Sequence, residues 1–347
     1  MDLTQVETRR GLESFVARAA SASSAHIISM RRLGGGAVSE NWALDVAIQG
    51  SRIAGEHALV VRGDARSRLA ESLTRADEFA VQRMAFLEGV AAPEPLWLCE
   101  DTAEIGRPFY VMRRATGVAD PRRLAREDTP LASREALAER LGEELARLHS
   151  IAPPRAGLDF LPVPGCDVAL GRVAQFREAL DALQEPQPML EWAIRWLETN
   201  APEPGPLVLC HRDYRTGNYL VDEGRLSAIL DWEFAGWSAP CEDIGWFCAR
   251  CWRFGAVERE AGGIGSRAAF YNGYERVSGR PIDAARVPYW EALATVRWAI
   301  IALQQAQRHL SGREPSLELA LTGRLVPELE LDLLRHIEAI DKGARPC

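Results

Sequence analysis

The fold of this chain is decided by the stretch Leu207-Val-Leu-Cys-His211-Arg-Asp213-Tyr-Arg-Thr-Gly-Asn218. An apolar strand leads into a polar loop, and Asn218 follows Asp213 by five residues. A second apolar run, Leu226–Leu230, ends in Asp231, so Asn218 and Asp231 stand at opposite ends of a predicted hairpin. Their side-chain oxygens are ligands that Mg²⁺ prefers. The pattern therefore predicts a magnesium site, with Asp213 available to accept a proton from an attacking hydroxyl or to orient it.

The same spacing, H-R-D-x₄-N with a downstream aspartate, matches the catalytic signature of protein kinases. Two features differ: the metal triplet is Asp231-Trp-Glu233 in place of D-F-G, and no A-P-E segment follows. The stretch instead resembles the aminoglycoside phosphotransferase and choline kinase-like family, which reads H-x-D-x₄-N, then I-D-W-E, then P-x-x-D. Here Leu230-Asp-Trp-Glu233 and Pro240-Cys-Glu-Asp243 match the last two motifs. The resemblance covers nearly the whole chain in order.

The resemblance implies an ATP- and Mg²⁺-dependent phosphotransferase that moves a γ-phosphoryl group to a hydroxyl of a small molecule. Asp213 would be the catalytic base, and Asn218 and Asp231 would be the magnesium ligands. Asp243 would support the loop, and His211 would hold it through hydrogen bonds without titrating in catalysis. A lone loop aspartate is most often a turn or cap residue. The matching offsets of Asn218 and Asp231 argue against that interpretation of Asp213.

The periodicity predicts an α+β architecture with a sheet-rich part followed by a helical part, and the resemblance implies that this is a two-lobed protein-kinase-like fold. Alternating apolar residues predict strands over 26–33, 41–48 and 58–62, followed by an amphipathic helix and two more short strands. From residue 133 the pattern is mainly helical, apart from the hairpin. We therefore expect a small antiparallel-sheet lobe for nucleotide binding over residues 1–113, a hinge over 114–118, and a large helical catalytic and substrate-binding lobe over 119–347.

A glycine-rich turn lies between the first two predicted strands. Gly34, Gly35 and Gly36 leave backbone amides unobstructed, so they can approach phosphate oxygens, and Ser39 could add a hydroxyl. Glycines also make ordinary hairpin turns, which is the alternative interpretation. The P-loop pattern G-x-x-x-x-G-K-[ST] is absent.

The resemblance implies three further nucleotide contacts. The strand after the glycine turn would offer a cation to the phosphates, and the residue there is Arg62 in place of lysine, as in family branches related to acyl-CoA dehydrogenase fusions. Glu78, on the next helix, would hold Arg62; the alternative is an ordinary surface ion pair. Met112 would lie at the hinge that clasps adenine, although a buried strand with one methionine would have the same sequence.

Composition and charge narrow the possible partners and location of the protein. The formal net charge of −8 argues against a nucleic-acid partner. No apolar run approaches the length of a membrane span, and the amino terminus does not resemble a secretory signal. We therefore expect a cytoplasmic protein with no nucleic-acid or membrane partner, and the resemblance implies a small-molecule substrate. The C-x-x-C spacing at Cys248 and Cys251 lacks the further ligands of a zinc site, and buried packing explains it better.

Alternatives remain open at this point. A nucleotide-binding regulatory pseudokinase without turnover is one, because of Arg62; a protein kinase is another. The acceptor classes compatible with the resemblance are aminoglycosides, choline-like alcohols, hydroxylated amino compounds and hydroxyacyl-CoA thioesters. Use of GTP in place of ATP is also open, as is the oligomeric state.

Overall fold

The computed structural model describes residues 3–34, 39–64, 71–126, 129–165, 167–183 and 185–343. By their contacts these residues form two compact units. The first unit comprises Met1–Val118, Pro154–Phe160 and Tyr219–Ala235. The second comprises Ala119–Pro153, Leu161–Asn218 and Gly236–Cys347.

Strands predominate in the amino-terminal third, and helices dominate afterwards. In chain order the first elements are α1 (Val6–Ala19), β1 (Ser24–Arg32), β2 (Ser39–Gln49), β3 (Gly55–Asp64), α2 (Arg75–Leu87), β4 (Pro95–Cys99) and β5 (Phe109–Arg113). Next come α3 (Pro121–Arg126), α4 (Leu131–Leu148), α5 (Val168–Asp181), α6 (Pro188–Thr199), β6 (Val208–Cys210), β7 (Tyr219–Asp222) and β8 (Arg225–Ile229). The last are β9 (Gly236–Ser238), α7 (Pro240–Cys248), a 3₁₀ turn (Arg250–Trp252), α8 (Arg267–Ser278), α9 (Val287–Leu310), α10 (Leu317–Gly323) and α11 (Val326–Asp341).

The first unit is built on a five-stranded antiparallel sheet with the order β1-β2-β3-β5-β4. On β2 the apolar residues predicted to share one face, Leu44, Val46 and Ile48 among them, are buried. They belong to one hydrophobic core with Leu12 and Val16 of α1. The sequence pattern did not predict α1, because charged residues are interspersed with the apolar ones along this segment.

The hairpin formed by β7 and β8 belongs to the first unit. Val118 and Val221 exchange backbone hydrogen bonds of 2.9 and 3.0 Å, and the Ile229 amide donates to the Ala91 carbonyl at 2.6 Å. These bonds hold the end of β8, and therefore Asp231, at a defined position in that unit.

The second unit is helical, apart from the short antiparallel pair β6–β9. Helices α4 and α8 approach closely where each has a glycine. A Cβ at Gly142 would lie 2.0 Å from the carbonyl oxygen of Phe270, and one at Gly273 would lie 1.9 Å from that of Glu139. A separate core packs α5, α6, α9 and α11 together, with Leu190, Leu293 and Leu333 at its centre.

Sheet and helices together confirm the predicted α+β class. Within the described part of the chain, no helix is both long enough and apolar enough to cross a membrane. The predicted lobe boundaries at residues 113 and 119 stay predictions. The two units defined by contacts do not test them, because each unit combines three separate stretches of the chain.

Candidate active site

Asp213 lies in the loop of residues 211–218, which we call the catalytic loop, directly after β6. Its side chain is largely buried and accepts three hydrogen bonds. Trp246 Nε1 and Arg215 Nε donate to Oδ1 at 3.0 and 3.1 Å, and Asn218 Nδ2 donates to Oδ2 at 2.5 Å. All three partners are donors, so both carboxylate oxygens are held as acceptors and the side chain is fixed in one orientation.

Asn218 is oriented by the same loop. Its amide nitrogen donates both to the Asp213 side chain and, at 2.9 Å, to the Asp213 backbone carbonyl. Since both amide protons are directed toward Asp213, the carbonyl oxygen is the atom that Asn218 can offer to a cation. A hard oxygen donor of this type fits Mg²⁺.

The catalytic loop contains a strained backbone position that Asp243 stabilises. Arg212 has φ of 61°, in the left-handed region that costs a residue with a side chain about 1 kcal/mol or more. Asp243, fully buried at the start of α7, accepts from the His211 amide at 2.7 Å and from the Arg212 amide at 2.6 Å. His211 Nδ1 in turn accepts from the Asp213 amide at 3.3 Å. Asp243 and His211 thus hold the loop backbone, as the resemblance implied.

Behind Asp243 lies a buried network that includes His149. The imidazole contacts Asp243 Oδ2 at 3.2 Å and the Tyr274 hydroxyl at 3.0 Å, one on each ring nitrogen. Cys210 Sγ lies 3.8 Å from His149 and donates to the Ala239 carbonyl at 3.4 Å. Burial raises the pKa of the Cys210 thiol well above its usual value. The possible ligand atoms of His149, Cys210 and Asp243 lie close enough together to hold a metal ion. The thiol is protonated, however, and the carboxylate already accepts from two backbone amides, which indicates a structural network.

Aromatic rings and guanidinium groups line the surroundings of Asp213 within the second unit. The guanidinium of Arg215 lies over the Trp252 ring at 4.6 Å, and that of Arg297 lies over the Trp246 ring at 4.5 Å. Such contacts hold the planar groups in fixed orientations. Trp246 is therefore fixed on its face by Arg297 while its edge donates to Asp213.

The first unit contains a second group of site residues, which we call the arginine–carboxylate cluster: Arg62, Glu78, Asp231 and Glu233. Arg62 is 5% exposed. Its Nε donates to Glu78 at 2.8 Å, and its Nη2 lies 2.5 Å from Asp231 and 3.4 Å from Glu233. The expected contact between Arg62 and Glu78 is present, and it is buried, unlike a surface ion pair. Burial and, to a smaller extent, repulsion from Asp231 raise the pKa of Glu233 to about 8.

Asp231 occupies a left-handed backbone position, with φ of 68°. Aspartate tolerates this conformation better than most residues. The bend lies directly after the hairpin and presents the carboxylate to Arg62. A carboxylate at this point fits the donor chemistry of a Mg²⁺ site.

The predicted nucleotide contacts of the glycine turn fall mostly on undescribed residues. Gly35 and Gly36 lie outside the described residues, as does the side chain of Ser39, whose backbone begins β2 opposite Asp64. At Gly34 a Cβ would meet open space, so this position does not require glycine for packing. Met112 lies in β5 and is 8% exposed, and its sulfur accepts from Gln82 Nε2 at 3.4 Å. The nucleotide roles of these residues remain predictions.

Three residues that contact Asp213 or Glu78 were not identified as site residues from the sequence. Trp246 and Arg215 both donate to Asp213, and Arg75 contacts Glu78. Arg75 could have been found, because it precedes Glu78 by three residues and so shares its helix face. Trp246 is 33 residues from Asp213, and no local pattern connects the two.

The chain is similar in sequence to known proteins. A family model described as a phosphotransferase enzyme family matches residues 29–280. Acyl-CoA dehydrogenase family member 11 of Pongo abelii is 28% identical over 272 residues, covering 73% of this chain and 34% of that protein. Family member 10 of Mus musculus is 30% identical over 176 residues, covering 49% of this chain and 16% of that protein. The chain thus spans about a third or less of these relatives, and its predicted relation to acyl-CoA dehydrogenase-associated domains is confirmed.

Solved structures show the same fold. A protein of Ralstonia eutropha, described as a candidate aminoglycoside phosphotransferase, has a TM-score of 0.74 at 22% identity, covering 93% of this chain and 95% of that one. A choline/ethanolamine kinase family protein of Mesorhizobium loti has a TM-score of 0.56 at 20% identity, covering 90% and 92%. A ternary complex of APH(2″)-IIa with streptomycin and ATP has a TM-score of 0.57 at 15% identity, covering 88% and 91%. The predicted kinase-like fold is confirmed.

Proposed function

The chain belongs to the phosphotransferase enzyme family, and on that premise we propose that it transfers the γ-phosphoryl group of ATP to a hydroxyl of a small molecule in a Mg²⁺-dependent reaction. The observation that carries the proposal is the environment of Asp213. Three donors from Trp246, Arg215 and Asn218 hold its carboxylate in one orientation, in a loop that Asp243 stabilises. Phosphoryl transfer needs such positioning and charge neutralisation more than covalent chemistry from the protein.

In this proposal Asp213 orients the acceptor hydroxyl and accepts its proton. Asn218 and Asp231 would hold Mg²⁺ through a carbonyl and a carboxylate oxygen. When bound, the ion neutralises charge on the phosphate oxygens. Arg62 contributes a buried cation to the α- and β-phosphates, and Glu78 orients it. Gly34, Gly35, Gly36 and Ser39 enclose the phosphates, and Met112 lies beside the adenine.

The acceptor is proposed only as an alcohol. The relatives named above are described as acyl-CoA dehydrogenase family members, and one structural neighbour was solved with streptomycin. A screen of ADP release with MgATP therefore tests aminoglycosides, choline-like alcohols, hydroxylated amino compounds and hydroxyacyl-CoA thioesters side by side, with GTP as a second donor. Release above the acceptor-free rate with one class supports the proposal. No release with any class, from protein that binds MgATP, contradicts it.

The second candidate is a nucleotide-binding regulatory pseudokinase, and the arginine at position 62 is the observation that favours it. Thermal shift in the presence of ATP separates binding from turnover, because a ligand that binds only the folded state raises the melting temperature. Stabilisation by MgATP but not by metal-free ATP supports working metal ligands. Stabilisation without turnover on any acceptor class supports the pseudokinase.

A further inference from the structure

Arg75 is a buried cation in an unfavourable place. It is the first residue of α2, directly after the cap Thr74, and only 2% of it is exposed. The amino terminus of a helix carries partial positive charge, so a cation there is disfavoured. Loss of solvent adds a further cost. A guanidinium is retained in such a position when its contacts offset both effects.

The contacts of Arg75 are with carboxylates in and beside the arginine–carboxylate cluster. Its Nη1 forms an ion pair with Glu78 Oε2, its Nε lies 2.8 Å from Asp64 Oδ1, and its Nη2 lies 3.5 Å from Glu233 Oε2. The contacts of Nε and Nη2 lack hydrogen-bond alignment, and neither atom has a hydrogen-bond partner among the residues that the structure describes. Arg75 therefore acts on Asp64 mainly through charge, and its Nη2 lies close to Glu233 without a hydrogen bond.

Glu78 links the two arginines. It is fully buried, and one carboxylate oxygen faces Arg62 while the other faces Arg75. Arg62 also faces Asp231 and Glu233. Without Arg75, Glu78 could turn both of its oxygens toward Arg62. Among the described residues, Arg62 would also be the one guanidinium left beside Glu233. More of the positive charge of Arg62, which already faces Asp231, would then be offset within the protein.

We propose that Arg75 is a positioning residue for nucleotide binding: it holds Glu78 and Glu233 so that the guanidinium of Arg62 stays available to the phosphates. This inference rests on the proposed function, since it takes Arg62 as the phosphate-binding cation. The planar fork of arginine reaches several carboxylates at once, which a lysine ammonium does not reproduce. Both charge and shape at position 75 therefore matter.

The test measures the dissociation constant of MgATP by titration calorimetry for the wild type, Arg75→Met, Arg75→Lys, Arg62→Met and the double variant Arg62→Met/Arg75→Met. Residues that support a metal or ligand site from behind typically change affinity or activity by about 10- to 100-fold. We expect Arg75→Met to weaken binding by about that factor and Arg75→Lys to weaken it less. Arg83→Met, at an exposed position of the same helix, is the matched control and binds as the wild type.

The double variant separates positioning from a general structural role. If Arg75 acts through Arg62, the double variant binds no more weakly than Arg62→Met alone, because coupled residues are not additive. Losses that multiply, or wild-type affinity in Arg75→Met, overturn the inference. Should circular dichroism show that Arg75→Met is unfolded, Arg75→Lys decides: weaker binding by a folded protein supports the inference, and wild-type binding overturns it. A wild type that binds no nucleotide refutes the proposed function itself, and the inference with it.

Discussion

Asn218 donates its side-chain amide to Asp213 Oδ2 at 2.5 Å, so a proposed metal ligand and the proposed base are held to each other within one loop. The contact accounts for the five-residue spacing between them: the chain turns once and returns the amide to the carboxylate. It also directs the carbonyl oxygen of Asn218 away from the hydrogen bond. A single short stretch thereby orients the proposed base and a proposed cation ligand.

Substituting Asp213 by Asn is expected to lower kcat by about 10²- to 10⁴-fold, the usual contribution of a general base. Nucleotide affinity should stay close to that of the wild type, because Asp213 acts on the acceptor in the proposed reaction. Steady-state ADP release with the acceptor found in the screen gives kcat, and calorimetry gives the MgATP affinity.

The exposed Asp181 at the end of α5 provides the control for this substitution. Asp181→Asn should retain the wild-type kcat. Wild-type turnover by Asp213→Asn with a true acceptor would show that another group takes the proton.

The spacing of the sequence was enough to single out Asp213, Asn218 and Asp231, because all three flank one short strand-and-hairpin segment. Apolar alternation on β2 likewise predicted which face is buried. Contacts between distant parts of the chain could not be predicted in this way. Three features depend on tertiary packing: the position of β5 between β3 and β4, the contact from Trp246 to Asp213, and the grouping of the β7–β8 hairpin with the sheet.

Trp246 is expected to support Asp213 through its indole N–H. Trp246→Phe keeps most of the buried ring but removes the 3.0 Å hydrogen bond to Oδ1. A hydrogen bond to a charged group contributes about 1.5–3 kcal/mol. We therefore expect kcat to fall by about tenfold or more, with little change in the KM for ATP, in the ADP-release assay.

A matched control exists on α6, where Trp196 Nε1 also donates to a carboxylate, that of Asp341, at 3.0 Å. Trp196→Phe removes the same type of hydrogen bond, but in an exposed setting and to a carboxylate outside the catalytic loop. It should leave kcat unchanged. Equal losses in the two variants would mean that the Trp246 bond has no specific effect on Asp213.

Asp243→Asn is expected to destabilise the protein and slow turnover together. The buried carboxylate accepts from the His211 and Arg212 amides, and an asparagine amide group can accept at only one of its two ends. Arg212 would lose support for its left-handed backbone. We expect the free energy of unfolding in urea to fall by about 2–3 kcal/mol, the value of a lost hydrogen bond to a charged group. Asp283, whose side chain is 60% exposed, gives the control Asp283→Asn. If the two variants unfold at the same urea concentration, the proposed support of the loop is wrong.

Glu242 should make stability depend on pH in the acid range. Burial alone would raise the pKa of this carboxyl, but the charges of Arg172, Arg212 and Arg297 outweigh it and lower the pKa to about 2. A folded-state pKa below the ordinary value of 4.5 means that the ion pairs stabilise the protein above pH 4.5. That stabilisation is lost as the pH falls from 4.5 toward 2. The two pKa values correspond to about 3 kcal/mol of pH-dependent stability.

The variant Glu242→Gln removes this ionisation, so the difference in free energy of unfolding between wild type and variant should shrink as the pH falls below 4.5. Urea unfolding at a series of pH values between 7 and 3 measures that difference. Glu198→Gln, which removes the half-exposed partner of Arg177, should change stability by less than about 1 kcal/mol at every pH. A wild-type–variant difference for Glu242→Gln that stays constant with pH would mean that Glu242 is not held ionised by the three arginines in the folded protein.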